Sequence, residues 1–280
     1  MVFGYKARMR SLHTRVALSC WGSPLTFGRA AASAVLVSLS VVSVTTASFS
    51  QTLAQTKVVP RASIELFTSQ GCSSCPPADK LIGELTRDSS VVAISLPIDI
   101  WDYLGWKDTL ALKGHTMRQQ AYARVRGDRE VYTPQVVVNG IMQVAGSDKA
   151  AIDRAIEQTQ RDAGAMHVPV TLTLAGDKLT VEVPAAAAEA HVPAEVWLCP
   201  IIKKVPVAIE RGENRGHTIT YSNVVRKWIK LGEWNGKSEI YNVSIKEFQN
   251  GEIDSVAVIV QGGVKSSPGL MLGASVASLR

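Results

Sequence analysis

The stretch "TSQGCSSCPPADK", residues 68–80, holds two of the chain's four cysteines, Cys72 and Cys75, three positions apart. It follows the apolar run "ASIELFT" (62–68) and leads into "CPPADKLIGELTRD" (75–88). The first segment predicts a strand. The second predicts a helix with one apolar stripe, Leu81, Ile82 and Leu85. Pro76 and Pro77 suit its first turn, where a missing N–H costs nothing.

Four uses of such a pair compete. A structural zinc site needs about four ligands, but Cys20 lies in the N-terminal segment, Cys199 lies far along the chain, and the five histidines show no pair spacing. Covalent haem needs a histidine directly after the second cysteine, and Pro76 stands there. A disulfide staple would close a loop too short to gain much stability. Redox chemistry has a mechanism at this position. A helix N-terminus offers partial positive charge to a nearby sulfur and favours its thiolate. Cys72, nearer the loop, is the expected exposed attacking thiol. Cys75, inside the first turn, is the expected resolving thiol.

Working outward, "VVAISLPID" (91–99) predicts a second strand, apolar enough for a parallel strand covered on both faces. A second helix is expected through "TMRQQAYARVRG", with Thr116 and Gln119 at capping-box spacing. "VYTPQVVVNG" (131–140) and "IMQVAG" (141–146) predict a strand pair closed by Asn139-Gly140. "SDKAAIDRAIEQTQRD" (147–162) predicts a last helix, capped by Ser147. The order β-α-β, α, β-β-α implies a mixed four-stranded sheet with helices on both faces, over residues 57–164. From residue 165 to 280 the texture is short alternating strands at regular spacing, which predicts a smaller sandwich-like β-domain. Cys199, alone in an apolar strand there, reads as a small buried hydrophobe.

Pro134 interrupts a good strand pattern and marks an edge, a bulge or a tight bend. A cis Thr133–Pro134 bond beside the cysteines would offer the Thr133 backbone to an extended chain. Trp101, Tyr103 and Trp106 crowd the loop after the second strand, the end of a parallel sheet where such folds bind ligands. They are the candidate wall for a peptide, with a packed loop as the alternative. His115 reads as a surface or capping residue, and "RGENRGHTITY" (211–221) as a solvated turn.

The element order, the CxxC pair at the first strand–helix junction and the Thr-Pro before the third strand resemble the thioredoxin fold. "ELFTSQGCSSCPPADK", "WDYLGWKD", "VYTPQVVVNG" and "GENRGHTITYSNVVR" together resemble DUF1223, a family of exported thioredoxin-like proteins of unassigned function. The resemblance implies a thioredoxin-like domain with an appended β-domain. It also suggests Glu65, on the first strand, as a buried acid that exchanges a proton with the resolving thiol.

The net charge is +6, and residues 1–56 hold Lys6, Arg8, Arg10, Arg15 and Arg29 with no acid, so the rest of the chain is almost neutral. Nucleic acid is therefore not an expected partner. The basic start, the uncharged run at residues 30–49 and the small residues up to Ala47 or Ala54 follow the order of a secretory signal. An uncleaved membrane anchor is the alternative. The expected location is the periplasm or beyond, where disulfides persist. The expected function is thiol–disulfide exchange with protein or peptide thiols, without cofactor or metal. The competing expectation is a binding module in which the disulfide is vestigial.

Overall fold

β1 (Ala62–Thr68) and β2 (Val91–Pro97) run parallel, in register from Ala62 opposite Val91 to Thr68 opposite Pro97. Every residue of both strands is buried, as befits parallel strands covered on two faces. The computed structural model describes residues 59–186 and 193–280. The expected targeting segment, 1–56, lies outside them, as does the middle of the loop at 184–193. No helix among the described residues is long and apolar enough to cross a membrane.

Alternate residues of a strand face opposite sides of its sheet, and β1 divides its contacts that way. Ile64 and Leu66 pack with Ala78 and Ile82 of α1 (Pro76–Leu85) and with Ile152 and Ile156 of α3 (Lys149–Ala163). Phe67 faces the other side, toward Tyr122 of α2 (Lys113–Arg126). β3 (Gln135–Val138) pairs antiparallel with β1 and with β4 (Met142–Ala145). Asn139 and Gly140, at φ 50° and 77°, turn the β3–β4 hairpin.

Two helix starts differ from the sequence reading. α2 begins at Lys113, a turn before Thr116, whose hydroxyl donates to Asp99 Oδ1 at 2.6 Å instead of capping the helix. At α3 the cap is Asp148, not Ser147: its Oδ1 accepts the Ala151 N–H at 2.9 Å.

The larger difference concerns the expected boundary at residue 165, which does not divide the sheet. β7 (Ala194–Ala208), β8 (Thr218–Val225), β11 (Ser255–Val264) and β12 (Ser267–Ser278) continue it in the order β12-β11-β7-β8-β2-β1-β3-β4, with β9 (Ile229–Trp234) also paired to β7. The junction is β2 with β8, where Ser95 lies opposite Val224. Ser95 Oγ donates to the Ser222 carbonyl at 2.8 Å, and Asn223 Nδ2 donates to the Ala93 carbonyl at 2.9 Å. An uncovered β2 edge would leave backbone groups unpaired, and β8 with these two side chains covers it.

β5 (Thr171–Ala175), β6 (Lys178–Val183) and β10 (Glu239–Ser244) form a separate sheet in the order β10-β6-β5. Leu179, Val181 and Val183 bury against Val196, Leu198 and Val258 of the large sheet. Two sheets therefore do face each other here, but one of them is the outer part of the sheet that carries the cysteines.

Candidate active site at the Cys72–Cys75 turn

β1 ends at Thr68, and a tight turn follows in which the Cys72 N–H donates to Ser69 O and the Cys75 N–H to Cys72 O, each at 3.2 Å. Cys75 is the N-cap of α1 and makes no side-chain cap bond. Cys72 and Cys75 are joined in a disulfide, with Cα atoms 5.4 Å apart. Cys72 is only 5% exposed and Cys75 fully buried, so the expected exposure of Cys72 is corrected. The exposed residues of the turn are Ser73 and Ser74.

The source of positive potential also needs correction. The first two helical positions are prolines, which carry no N–H to point at a thiolate. The donors left near Cys72 belong to the turn itself. The Ser73 N–H donates to Glu213 Oε2 at 3.2 Å, and Ser74 Oγ lies 3.4 Å from Cys72 Sγ.

Glu213 belongs to the β7–β8 loop, more than a hundred residues away. The next residue, Asn214, is buried. Its Nδ2 donates to the carbonyls of Gln70 at 2.9 Å and of Cys72 at 2.8 Å. The segment read as a solvated turn thus grips the cysteine turn from outside. Buried carbonyls need partners, and this loop supplies them.

The aromatic loop holds the same turn from another side. Trp106 Nε1 donates to Gln70 Oε1 at 2.8 Å, and the Gln70 N–H donates to Asp108 Oδ2 at 2.8 Å. Trp101 Nε1 donates to Thr133 Oγ1 at 2.8 Å. A β-carbon added to Gly71 would stand 2.9 Å from Trp101 Cβ, so the two backbones meet there. Thr133–Pro134 is cis. Pro134 reaches the α1 side of the sheet: a β-carbon on Gly146 would touch both Pro134 Cβ at 3.0 Å and Ala78 Cβ at 3.2 Å. Trp101, Trp106, Thr133 and Pro134 therefore gather around the cysteine turn. Tyr103, 75% exposed and with its ring centre 6.1 Å from that of Trp101, is the aromatic left open to solvent.

Glu65 does not join this group. It lies on the α2 face of β1, where Oε1 accepts Arg118 Nε at 2.8 Å and Oε2 accepts the Tyr122 hydroxyl. α1 and its cysteine are on the opposite face. Strand periodicity decides this, because Leu66 and not Glu65 points toward α1.

The acid on the cysteine side is Asp79, one helical turn after Cys75, with its N–H on the Cys75 carbonyl at 3.1 Å. It is buried, and neither carboxyl oxygen has a hydrogen-bond partner among the described residues. Burial pushes its carboxyl well above the ordinary range. The Thr68 hydroxyl, outside true hydrogen-bond geometry, offsets part of this, and Asp108 adds to it. Burial likewise pushes Asp108 up to about 6, against the lowering by three backbone N–H bonds from Gln70, Leu110 and Ala111. Tyr221, buried with its hydroxyl unpaired among the described residues, is raised by burial first and then by these two acids.

His115 is buried rather than superficial. Its Nδ1 is 2.9 Å from Pro97 O, and desolvation pulls it down to about 4. Cys199 is fully buried, and burial raises its thiol. Among the described residues no group of three or more His, Cys, Asp and Glu is placed to hold a metal ion.

Asn214, Gln70, Asp79 and Asp108 are site residues absent from the sequence expectations, and Glu213 is expected there only as part of a solvated turn. Only Asp79 carries a local signal, since it falls on the buried stripe between Cys75 and Ile82.

The family model described as "Protein of unknown function (DUF1223)" matches residues 63–261. The chain belongs to this family. It is also similar to the crystal structure of a protein from Agrobacterium tumefaciens, at 30% identity and a TM-score of 0.70, over 78% of this chain and 94% of that one. No curated protein matches.

Proposed function

We propose that this protein is an exported thiol–disulfide oxidoreductase with a thioredoxin-like arrangement around its cysteines. The reading is carried by one observation: a disulfide at the β1–α1 junction whose turn is clamped from outside by Asn214, Trp106 and Asp108. A disulfide needed only as a staple would not require two distant loops to hold the carbonyls and the Gln70 amide of its turn. Export rests on the charge order of residues 1–56.

In the oxidised protein, a substrate thiolate attacks Cys72 Sγ and displaces Cys75 as a thiolate. Cys72 is the residue of the pair with any exposure. A second substrate thiol, as thiolate, then attacks the substrate sulfur and releases Cys72. The substrate dithiol loses two electrons and becomes a disulfide, and the pair becomes a dithiol. In the reverse direction Cys72 attacks and Cys75 resolves. Asp79, raised by burial and one turn from Cys75, is the acid able to give Cys75 its proton on leaving and take it back on attack.

The test is trapping. Cys75→Ser should accumulate mixed disulfides with partner proteins in envelope extracts run on non-reducing gels. Cys72→Ser should accumulate none. If neither variant traps a partner, and the reduced thiols alkylate like those of an unfolded peptide, the binding-module reading replaces this one. The near-complete burial of both cysteines is the observation that favours that second reading.

A further inference from the structure

On the α2 face of the sheet lies a cavity of about 400 Å³. That is within the size range of small-molecule sites, roughly 300–1,000 Å³. At its base is Arg118, 7% exposed. Arg118 Nε donates to Glu65 at 2.8 Å, and Nη2 donates to the Tyr122 hydroxyl at 2.8 Å and to Gln261 Oε1 at 2.7 Å. Three of its five N–H groups are thereby used. The two on Nη1 have no acceptor among the described residues, and the guanidinium lines the cavity. A buried cation with two unspent donors calls for an acceptor.

The walls are apolar and aromatic. Trp197 and Trp228 meet edge to face, with ring centres 6.2 Å apart, and Met117 stands beside them. Arg118 lies over the Trp228 ring at 4.3 Å, which fixes the guanidinium plane against the wall. Arg124 and Lys265 line the cavity too, are exposed, and form no ion pair among the described residues. Glu195, the acid of the lining, is neutralised by Lys230 at 2.8 Å, as Arg118 is by Glu65. The local balance therefore favours an anion.

We propose that this cavity binds a small aromatic monocarboxylate. The carboxylate accepts from Arg118 Nη1 in the charge-assisted geometry that guanidinium groups favour. The ring packs among Trp197, Trp228 and Met117, and Arg124 with Lys265 attract the anion at the mouth. Glu65, expected at the cysteines, acts here by holding Arg118. The site does not depend on the redox reading, because it lies on the other face of the sheet.

The experiment is calorimetric titration of the exported chain with 3-phenylpropanoate and with its neutral amide. The acid should bind with a Kd below about 1 mM, and the amide at least about tenfold more weakly. Arg124→Ala/Lys265→Ala should weaken the acid several-fold and flatten its salt dependence. Trp228→Ala should weaken acid and amide together. The paired change Glu65→Gln/Arg118→Met, which avoids stranding a buried charge, should abolish the preference for acid over amide. Equal affinity for acid and amide would overturn the proposal. So would no heat at about 10 mM acid, far above that Kd, or unchanged binding in both Arg124→Ala/Lys265→Ala and Trp228→Ala. These last two variants decide the matter even if the paired change fails to fold.

Discussion

Asn214 Nδ2 donates to the carbonyl oxygen of Cys72 over 2.8 Å, across 142 positions of chain. The same amide holds the Gln70 carbonyl at 2.9 Å. One side chain on the β7–β8 loop therefore satisfies two carbonyls flanking Gly71, in a turn that lies at the end of another strand. The shape of the cysteine turn is a long-range property, set by the loop that closes over it.

Asn214→Ala should leave the Gln70 carbonyl without a partner among the described residues and the Cys72 carbonyl with only the Cys75 N–H, and destabilise the protein by about 2 kcal/mol, the order of cost of stranding a buried polar group. Because the Cys72 carbonyl is one of the two, the reduction potential of the pair should also change. Chemical denaturation of oxidised and reduced protein, with a glutathione redox titration, checks both. Unchanged stability and potential would mean that the clamp contributes nothing.

Asp79→Asn should raise the melting temperature at neutral pH. The carboxyl is held well above its ordinary value in the folded state. Both states are protonated at low pH. As pH rises past the unfolded value, near 3.9 for a free aspartate, the unfolded chain ionises first and stability falls until the folded value is reached. Asp108, raised to about 6, adds a loss of the same sign over the same lower range. The asparagine removes the Asp79 part. Its gain should be absent near pH 3 and grow toward neutrality in thermal melts across pH, whereas a gain independent of pH would point to packing. Alkylation of reduced Cys75 should at the same time lose part of its pH dependence, if Asp79 shares its proton.

Glu213→Gln should make reduced Cys72 alkylate faster at neutral pH and make the pair more oxidising. Glu213 puts a carboxylate on the Ser73 N–H, beside the sulfur. It is exposed, so the effect should be modest, about 0.5 kcal/mol or roughly a twofold change in rate. It should shrink as salt is added. Iodoacetamide kinetics at low and high salt would check it, and a slower rate in the variant would refute it.

The half of the chain before residue 165 is legible because its signals are local. Apolar runs of strand length, a helix opened by two prolines and an Asn-Gly turn each need only their neighbours. Helix starts are less so: Thr116 has capping spacing, but Asp99 takes its hydroxyl, a contact made only by folding. Most of the later strands are legible as strands, though not as neighbours; β12 (Ser267–Ser278), which follows the Gly-rich end of β11, is not. Alternation states which face is buried and is silent about which edge is met, so the union of β8 with β2 could not be read. Glu65 shows a similar limit. The resemblance to the thioredoxin fold suggests it as the acid beside the resolving thiol, and the two-residue period of β1 turns it to the opposite face, toward Arg118.

Gly146 lies between the Pro134 segment and α1, and replacing it offers a steric test of that packing. Its N–H donates to Pro134 O at 3.0 Å. A β-carbon there would lie 2.9 Å from Leu66 Cδ1, 3.0 Å from Pro134 Cβ and 3.2 Å from Ala78 Cβ. The Leu66 methyl can rotate away, but the Pro134 ring and the Ala78 methyl have no rotamer to change. Gly146→Ala must then push β1, the Thr133–Pro134 segment and the first turn of α1 apart, at a cost of about 1–3 kcal/mol typical of overpacking. Gly114→Ala is the control. It lies in α2 with open space around its α-carbon and no positive φ, so it should be neutral or stabilise by about 0.5 kcal/mol through helix propensity. Urea denaturation of both variants measures the contrast. Because the strain falls between Pro134 and the helix that carries Cys75, Gly146→Ala should also alter the exchange rate of the disulfide with glutathione, while Gly114→Ala should leave it unchanged. Equal stability of the two variants would show that the packing around Gly146 yields without cost.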